Sequence, residues 1–385
     1  MTWIIREDQL DPDQREFIDK KLYERGRIWI RGFAGSGKTI LLVFTIREIL
    51  RRKPDAKIAV VMFTHALLDL FRTGMRELQL PSSVVTTTMY DFVENDHREY
   101  DYVICDEVQD IPLKVIRKMM GKTSHLIVAG DVLQSIYDRD PRYREEIPSP
   151  STLERALEGT LYELTIIHRL TANIIAAVKA LLPGQRIWSS QRDMTRQNVD
   201  VLLIKSENLE EEVKYVYNKA VEASSVGNVT AILLPNHQLI GVFVSTLLEV
   251  MGKPQWNITT NNYGKPDYFQ LNQHLSHNEI NIEYVGNSYG SLEGASRRMD
   301  IILMTYHSAK GLDFDDVFLP LLSNYHTGSL KDVLFMVAMT RSRKNLYLSY
   351  AGRPIPQIDR ISKYCKVIHA KEEYINDRNK NFFDF

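Results

Sequence analysis

The segment GFAGSGKT at residues 32–39 lies between two stretches of different hydrophobic pattern. Before it, the unbroken apolar run IWI at residues 28–30 is typical of a strand that is buried on both faces of a sheet. After it, Leu42, Ile46 and Ile49 share one face of a predicted helix. A buried strand that passes through a glycine-rich turn into an amphipathic helix predicts a layered α/β fold.

The same segment matches the phosphate-loop pattern, in the strand-to-helix context that this pattern requires. Its glycines let backbone N–H groups close around phosphate oxygens, and the helix N-terminus adds a positive dipole. Lys38 is expected to reach the β and γ phosphates of a nucleotide, and the Thr39 hydroxyl is expected to ligate Mg²⁺. An ordinary glycine turn is the alternative, and the flanking strand and helix count against it. The remaining candidates for nucleotide binding in this loop are Gly32, Gly35, Ser36 and Gly37.

Strand-like and helix-like stretches alternate along both halves of the chain, which predicts two domains with a mainly parallel sheet flanked by helices in each. The proline- and serine-rich residues 141–152 mark the boundary. We therefore expect one domain over residues 1–155 and a second over residues 156–385, which starts with the strand LYELTI. Residues 257–298 form a polar insertion without a clear period, and residues 370–385 form a charged tail.

Whole-chain composition says little about partners, because 48 basic and 49 acidic residues give a net charge of −1. A polyanion would have to bind in a local cleft. The two cysteines, Cys105 and Cys365, lie in neither a metal-binding nor a disulfide framework. The N-terminal segment is charged where a signal peptide is apolar, and no run approaches the ~18 apolar residues of a membrane span. We therefore expect a cytoplasmic protein.

Two acidic residues, Asp106 and Glu107, directly follow the apolar run YVIC. They are expected at the carboxyl end of a buried strand, where α/β sheets bind their ligands. Asp106 can hold Mg²⁺, and Glu107 can orient or deprotonate an attacking water. Adjacent acids are most often solvated surface charge, and the phosphate loop upstream is what favours the catalytic interpretation. The segment GDVLQSIY follows the next strand and brings Asp131 and Gln134 to the same edge, where a neutral amide can sense a γ-phosphate. Taken singly, Gln134 would be an ordinary polar residue at a helix start.

Nine motifs resemble, in order, those of the UvrD/Rep-like superfamily 1 helicases, and they extend over nearly the whole chain. This resemblance implies two RecA-like domains of the P-loop NTPase class that hold ATP and Mg²⁺ between them. The motifs are LDPDQ (10–14), GFAGSGKT (32–39), FTHA (63–66), TTTMYD (86–91), DEVQD (106–110), GDVLQSIY (130–137), LTIIHR (164–169), TYHSAKGLDFDDVF (305–318) and VAMTRSR (337–343).

The resemblance also implies that arginines of the second domain complete a catalytic site built on the first. Arg341 and Arg169 occupy the matching positions, and an arginine that neutralises the transferring phosphoryl group is worth about 10³–10⁵ in rate. A solvated cation at a helix end is the alternative for Arg341. The neighbouring Arg343 has no matched role and is expected to be such a cation.

Further matched residues concern the rest of the nucleotide. Gln14 resembles the glutamine that reads adenine, which predicts ATP over GTP. His168 stands where relatives have a base-stacking tyrosine, so we expect weaker stacking on adenine. Gly311 and Asp313 belong to a motif that approaches the nucleotide, and Asp313 replaces a longer glutamate. These departures are expected to raise KM for ATP without abolishing hydrolysis.

The family binds single-stranded DNA across both domains, through phosphate contacts and aromatic platforms that tolerate any sequence. Where relatives carry a tryptophan that stacks on a base, this chain has Arg139, which can substitute by stacking or by a phosphate contact. Each matched residue has an ordinary surface or core role as its alternative. The other matched candidates are Thr64, His65, Thr88, Tyr90, Tyr137, His307 and Ser308.

The accessory domains of relatives have no counterpart, because residues 90–102 leave no room for a domain and residues 257–298 leave room only for a loop or hairpin. The leading hypothesis is an ATP-dependent translocase or helicase core, stimulated by single-stranded DNA or RNA, that moves 3′ to 5′ as relatives do and unwinds with a protein partner. The alternative is a nucleotide-switched regulatory subunit that recruits an effector such as a nuclease, with little translocation. A P-loop kinase or GTPase would explain neither the second domain nor the two arginines.

Overall fold

The computed structural model describes residues 4–24, 26–140, 142–183, 191–192, 198, 200–257, 259–260, 266–286 and 288–371. The chain divides into two compact units. Unit 1 comprises Met1–Arg169 and Gln185–Arg196, and unit 2 comprises Leu170–Gly184 and Gln197–Phe385. The charged tail expected at residues 370–385 lies outside the described residues from residue 372 onwards.

Unit 1 contains a parallel sheet with helices on both faces. Its strands are β1 (Gly26–Gly32), β2 (Ile58–Met62), β3 (Val85–Thr88), β4 (Tyr100–Cys105), β5 (Thr123–Gly130), β6 (Thr160–Leu164), β7 (Ile166–Ile167) and β8 (Gln191–Arg192). Its α-helices are α1 (Pro12–Glu16), α2 (Lys38–Arg52), α3 (His65–Glu77), α4 (Met89–Glu94), α5 (Leu113–Met120) and α6 (Pro150–Leu157). Six strands pair in the order β3-β2-β4-β5-β1-β6, and β7 pairs with β8 outside that sheet. All of these pairs are parallel.

Alternate residues of the central strands face the two helical layers of unit 1. In β1, Ile28 and Ile30 pack with residues of α2 and α3, whereas Trp29 packs with residues of α4, α5 and α6. In β2, Val60 belongs to the first layer and Val61 to the second. Because both faces of each strand are covered, these strands are continuously apolar rather than alternating, as the sequence indicated.

Unit 2 repeats this architecture with a seven-stranded sheet. Its strands are β9 (Val201–Ser206), β10 (Thr230–Leu234), β11 (Ile282–Tyr284), β12 (Ile301–Thr305), β13 (Phe314–Leu319), β14 (Ser342–Ala351) and β15 (Lys366–His369). Its α-helices are α7 (Ala172–Leu181), α8 (Leu209–Ser225), α9 (His237–Val250), α10 (Tyr268–His277), α11 (Leu292–Arg298), α12 (Asn324–Thr327), α13 (Asp332–Met339) and α14 (Pro356–Ile361). The strand order is β11-β12-β10-β13-β14-β9-β15, and every pair is parallel.

The two parallel sheets with flanking helices confirm the predicted α/β class and fit two RecA-like P-loop domains. The apolar runs at 58–63, 102–105 and 126–130 correspond to β2, β4 and β5. Among the described residues, none of the helices is long and apolar enough to cross a membrane.

The strand LYELTI belongs to unit 1, which differs from the expected boundary at residues 155 and 156. Its first part is β6, which pairs with β1 from Ile28↔Thr160 to Gly32↔Leu164 and so forms an edge of the first sheet. The proline-rich residues 141–152 are therefore a connection within unit 1, which passes directly into α6. Composition identified a surface loop, but it could not tell which sheet the following strand would join, because strand pairing depends on residues far apart in the chain.

The polar insertion at residues 257–298 is more than the loop or hairpin that the sequence allowed. Among its described residues, α10 buries Tyr268, Leu271 and Leu275 in the core of unit 2, and Asp267 caps its N-terminus. The strand β11 then pairs with β12 and extends the sheet at its edge. The helix was hard to detect because only one narrow apolar face interrupts a polar stretch.

A buried carboxyl group, Glu212 on α8, joins this helix to the ends of two strands. One of its oxygens accepts hydrogen bonds from the Leu321 N–H and the Ser349 hydroxyl, each at 2.7 Å. Burial raises the pKa of Glu212 from 4.5 to about 7, although these hydrogen bonds act in the opposite direction. The folded state therefore favours the protonated acid, and its contribution to stability is present below pH 4.5 and is lost as the pH rises through about 7.

The variant Glu212→Gln should be more stable than the wild type at alkaline pH. A neutral amide keeps the acceptor oxygen and avoids the buried charge, so we expect a gain of roughly 3 kcal/mol in the free energy of unfolding at about pH 8 and little difference at about pH 4. Urea unfolding of both proteins at the two pH values measures this. Glu210→Gln, at an exposed site on the same helix, is the matched control. Equal responses of the two variants would contradict the assignment.

Candidate functional site

The phosphate loop joins β1 to α2 at the carboxyl edge of the first sheet. Gly37 is the N-cap residue of α2, a helix of 15 residues, so the loop amides and the helix dipole favour an anion at this end. Gly35 has a φ of 78°, and a Cβ there would lie 2.5 Å from the Cβ of Arg169. Only glycine fits this position without strain. The loop is therefore shaped to bind a phosphate group.

Lys38 lies inside this loop. Its Nζ donates to the Gly32 carbonyl at 2.7 Å and to the following carbonyl at 3.2 Å. Burial lowers the pKa of Lys38, and the carboxylates of Asp131, Glu107 and Asp106 act in the opposite direction. The ammonium group thus faces the three acids at the same sheet edge, where it could exchange the two carbonyls for phosphate oxygens.

Thr39 and Asp106 bring a hydroxyl and a carboxylate together. The Thr39 hydroxyl donates to Asp106 at 2.6 Å. Asp106 is completely buried, and burial, with a further contribution from Glu107, raises its pKa to about 6. A buried carboxylate of this kind gains from a nearby cation, and hydroxyl and carboxylate oxygens are ligands that Mg²⁺ prefers. These two residues fit the predicted magnesium site.

Glu107 is buried directly after β4 in a left-handed backbone conformation, with a φ of 54°. Such a conformation is uncommon for a residue other than glycine and is often found at functional sites. Its backbone N–H donates to Asp106 at 2.9 Å, and its carboxylate accepts a hydrogen bond from the Gln109 amide. The carboxylate is therefore held in place after β4, near enough to Lys38 to act on its pKa, as a residue that orients water must be.

Gln134 lies at the same edge, in the turn after β5. Its amide N–H donates to the Asp131 carboxylate at 2.8 Å, and Asp131 also accepts the Leu133 N–H at 3.0 Å. Burial raises the pKa of Asp131, and Lys38 acts in the opposite direction. Asp131 therefore orients the Gln134 amide, whose role as a sensor of the γ-phosphate stays a prediction.

Gln14 and His168 are both tied to Asp11 in the N-terminal motif. The Gln14 amide accepts the Asp11 N–H at 3.1 Å and donates to the Ser36 carbonyl at 3.4 Å, so it lies against the phosphate loop. The His168 ring bonds to the Asp11 carboxylate through Nε2 at 2.6 Å, and its backbone N–H donates to Gly35 at 2.9 Å. If His168 stacks on adenine as expected, its ring must do so while it is bonded to the Asp11 carboxylate.

Arg169 belongs to unit 1, which differs from the expectation that it would come from the second domain. It follows β7, and its Cβ lies so close to Gly35 that the glycine has no space for a side chain. Its charge is near enough to act on the pKa of Lys38. Arg169 is thus in the phosphate pocket of its own unit, because the strand pairing of β6 carries the following residues to the phosphate loop.

Arg341 lies in unit 2, just after α13. Its guanidinium donates to the carbonyls of Val337 at 2.8 Å and Leu312 at 3.3 Å, and to the Thr340 hydroxyl at 3.0 Å. The bond to Leu312 connects it to the loop that contains Gly311 and Asp313. Unit 2 therefore brings these three predicted nucleotide-site residues together.

Arg343 is a strand residue rather than the cation at a helix end that the sequence indicated. The helix α13 ends at Met339, and β14 starts at Ser342. The Arg343 guanidinium pairs with Asp315 at 3.5 Å, and burial lowers its pKa. The neighbouring strand β13 supplies this partner, so Arg343 has a role within the sheet.

Two hydroxyls predicted to contact nucleic acid are N-caps in unit 1. Thr64 accepts the Leu67 N–H at 3.2 Å and begins α3, whereas Thr88 accepts the Asp91 N–H at 3.3 Å and begins α4. Each hydroxyl can still donate its own hydrogen to a phosphate oxygen. His65, the first residue of α3, is exposed. A structural role and a phosphate contact are therefore compatible at these positions.

We call residues 138–140 and 142–147 the Asp140 hairpin. The side chains of Tyr90 and Arg139 both bond to residues of this hairpin. The Tyr90 hydroxyl donates to the buried Asp140 at 2.8 Å. The Tyr143 ring packs edge-on against the Tyr90 ring, with 5.4 Å between the ring centroids. Arg139 pairs with Glu146 at 3.2 Å across the hairpin. Both side chains would have to leave these partners to contact a base or a phosphate.

The remaining candidates for nucleic-acid contact are Tyr137 in unit 1 and His307 and Ser308 in unit 2. The Tyr137 ring lies 4.8 Å from that of Phe63, so two aromatic residues of separate motifs meet. In unit 2, Ser308 is hydrogen-bonded to the Thr305 hydroxyl at 3.0 Å. Burial lowers the pKa of His307 to about 4, and the nearby Lys310, His237 and Lys331 act in the same direction. Two lysines, Lys310 and Lys331, thus lie close enough to His307 to act on its charge.

Three buried polar residues that support the site were not predicted from the sequence. Asp11 holds Gln14 and His168, Asp140 holds Tyr90, and Gln109 holds Glu107. Asp11 and Gln109 lie inside motifs that the sequence identified, so an acid or amide beside a predicted site residue was an available signal. Asp140 directly follows Arg139, another predicted site residue, so the same signal was available there.

Two family models match parts of the chain. Residues 14–139 match an AAA domain, and residues 270–353 match the UvrD-like helicase C-terminal domain. A curated relative is the DNA replication ATP-dependent helicase/nuclease DNA2 of Saccharomyces cerevisiae, 21% identical over 247 residues that cover 51% of this chain and 16% of the relative.

Solved structures of viral helicases are also similar. The PRRSV helicase has a TM-score of 0.45 and 14% identity, over 88% of this chain and 54% of that one. The arterivirus nonstructural protein 10 helicase has the same score and identity, over 88% and 62%. Its complex with DNA has a TM-score of 0.43 and 14% identity, over 87% and 63%. The chain spans less than two thirds of the length of each of these relatives.

Proposed function

Since the chain belongs to the UvrD-like superfamily 1 helicases, we propose that it is an ATP-hydrolysing motor core that moves along single-stranded DNA. The observation that carries this proposal is the meeting, in unit 1, of a phosphate loop with a buried acid pair. Lys38 and Thr39 belong to the loop segment, the Asp106 and Glu107 carboxylates follow β4 of the same sheet, and the Thr39 hydroxyl donates to Asp106 at 2.6 Å. Phosphoryl transfer depends mainly on such positioning and charge stabilisation.

The residues of unit 1 divide the work of hydrolysis. Lys38 binds the β and γ phosphates, and Glu107 orients or deprotonates the attacking water. Thr39 and Asp106 would hold Mg²⁺, which neutralises phosphate charge when bound. Arg169 and Gln134 contact the γ-phosphate, and Gln14 contacts the adenine base. The support is that Arg169 and Gln14 lie against the loop, and that Asp131 orients Gln134 at the same sheet edge.

Unit 2 supplies Arg341 to the transferring phosphoryl group, with Gly311 and Asp313 nearby in its own loop. The support for this role is the motif that contains Arg341 and the hydrogen bond that joins it to Leu312. The rate of hydrolysis would then depend on Arg341 as well as on the residues of unit 1.

Single-stranded nucleic acid binds through backbone phosphates, without sequence preference, and a 3′ to 5′ direction is proposed by analogy with the family. Thr64, Thr88 and Ser308 are hydroxyl donors for phosphates, and Tyr137 with Phe63 offers an aromatic surface to a base. Lys310 and Lys331, which lie near His307, add attraction for a polyanion. A protein partner for unwinding and a cytoplasmic location remain predictions from the sequence.

One observation favours a second function, a nucleotide-switched regulatory subunit that recruits an effector such as a nuclease. The Asp140 hairpin replaces the segment that bears a base-stacking tryptophan in relatives, and it engages Tyr90 and Arg139 internally. Fewer side chains are then available to grip a base, so ATP could drive closure with little translocation.

Steady-state ATP turnover with oligonucleotides of rising length, at several salt concentrations, distinguishes the two functions. A motor should be strongly stimulated, increasingly so with longer strands, and the stimulation should weaken as salt rises because phosphate contacts release counterions. Slow turnover that ignores strand length would instead support the regulatory subunit. Absence of ATP turnover under all conditions would contradict both.

A further inference from the structure

Gln109 joins two acidic turns of unit 1 through a single buried amide. Its Nε2 donates to the Glu107 carboxylate, and its Oε1 accepts the Asp131 N–H at 3.0 Å. These two turns follow β4 and β5, which are neighbours in the parallel sheet. The amide N–H group therefore bonds to the carboxylate, and the amide oxygen bonds to the backbone of the next turn.

Gly130 allows this close approach. A Cβ at Gly130 would lie 2.3 Å from the Gln109 Oε1 and 2.9 Å from a side-chain carbon of Val108. Glycine is therefore needed at position 130 because any side chain would collide with the Gln109 amide beside the end of β5. Its backbone conformation is an ordinary one.

The connection continues from Gln109 toward the predicted nucleic-acid surface. The Ser135 hydroxyl donates to the Gln109 carbonyl at 3.4 Å, and the Ile136 N–H donates to Asp110 at 3.4 Å. Gln109, Ser135 and Tyr137 also line one cavity of about 280 Å³. The Glu107 carboxylate and the Tyr137 ring are thus attached to the same hydrogen-bonded turn.

We propose that Gln109 is a positioning residue, which orients the Glu107 carboxylate for hydrolysis and links it to the turn at residues 130–137. This proposal rests on the proposed ATP hydrolysis. A carboxylate can rotate about its last side-chain bond, and a neutral amide donor holds one oxygen without cancelling its charge. Because the other end of the amide is bonded to the turn that leads to Tyr137, movement of that turn on binding a nucleic acid moves Glu107.

Two variants of Gln109 distinguish the hydrogen bond to Glu107 from the hydrogen bond to Asp131. Gln109→Met removes both hydrogen bonds, whereas Gln109→Glu keeps an oxygen for the Asp131 N–H but loses the donor to Glu107 and adds a like charge. We expect both to lower kcat by about 10- to 100-fold, because the base is misplaced by a fraction of an ångström to an ångström, and to leave Kd for ATP within about threefold. Both should also reduce stimulation by a single-stranded oligonucleotide. Gln270→Met, at an exposed site in unit 2, is the control and should match the wild type.

Residue-resolved hydrogen exchange provides a readout that needs no hydrolysis. The Asp131 amide should exchange about tenfold faster in Gln109→Met and at the wild-type rate in Gln109→Glu, because only the first variant lacks an acceptor. Gly130→Ala should cause the same loss of kcat, because the added methyl group displaces the Gln109 side-chain amide. This variant replaces Gln109→Met in the experiment if Gln109→Met does not fold.

The possible outcomes are distinguishable. Wild-type kcat in both Gln109 variants, or equal loss of ATP binding and turnover, would overturn the positioning role. Unchanged Asp131 exchange in Gln109→Met would overturn the link itself. A wild-type protein that hydrolyses no ATP would instead remove the proposed function, and the exchange result would then still decide whether the link exists.

Discussion

Arg341→Ala should bind ATP with nearly wild-type affinity and hydrolyse it about 10³ to 10⁵ times more slowly. The reason is that an arginine of this kind stabilises charge that develops on the transferring phosphoryl group, and contributes little to the ground state. A fluorescent ATP analogue measures Kd, and single-turnover hydrolysis measures the chemical step. Proportional loss of binding and hydrolysis would mean that Arg341 binds the ground state, and its assigned role would be incorrect.

Two further variants control for the structural role of Arg341, whose guanidinium donates hydrogen bonds to Val337, Leu312 and Thr340 within unit 2. Arg341→Lys keeps the charge but loses the planar fork, so we expect an intermediate rate. Arg343→Ala removes a neighbouring guanidinium that pairs with Asp315, and it should retain wild-type turnover. The free energy of unfolding of all three variants shows whether a slow rate reflects lost chemistry or lost structure.

Glu107→Gln should lower kcat by about 10² to 10⁴ while ATP binding persists. An amide of nearly the same shape cannot accept the proton of the attacking water, and the buried site would otherwise change little. Measured Kd for ATP and the rate of phosphate release test this expectation. Glu94→Gln, which alters a carboxylate paired with Arg142 on the surface of the same unit, is the matched control. Near wild-type hydrolysis by Glu107→Gln would exclude Glu107 as the base.

Much of the fold follows from local patterns. The apolar runs that become β2, β4 and β5 are continuous because both of their faces are covered, and this property is visible in a single short stretch. The end of β4 at Cys105 agrees with the prediction that Asp106 and Glu107 emerge at a sheet edge. The helix α10 and the strand β11 were missed, because their apolar faces are short and lie within a polar stretch.

Strand pairing explains where the predictions and the structure differ. The position of β6 beside β1 moves the unit boundary past residue 155 and brings Arg169 to the phosphate loop of unit 1. Likewise, Arg343 has its role in a sheet because β13 and β14 are neighbours. None of these pairings is encoded in the spacing of a local motif, because register is set by which distant faces are buried together.

Local sequence patterns were enough to predict the phosphate loop, the acids that follow the strands and the α/β class, because each depends on hydrogen bonding and hydrophobic period within about ten residues. Which side chains meet depends instead on how distant segments of the chain fold together. Thr39 reaches Asp106 across 67 residues, His168 reaches Asp11 across 157, and Gln109 reaches the Asp131 backbone across 22. Such contacts arise because parallel strands bring remote chain segments to one edge, where buried polar groups must find partners in whatever segment lies beside them.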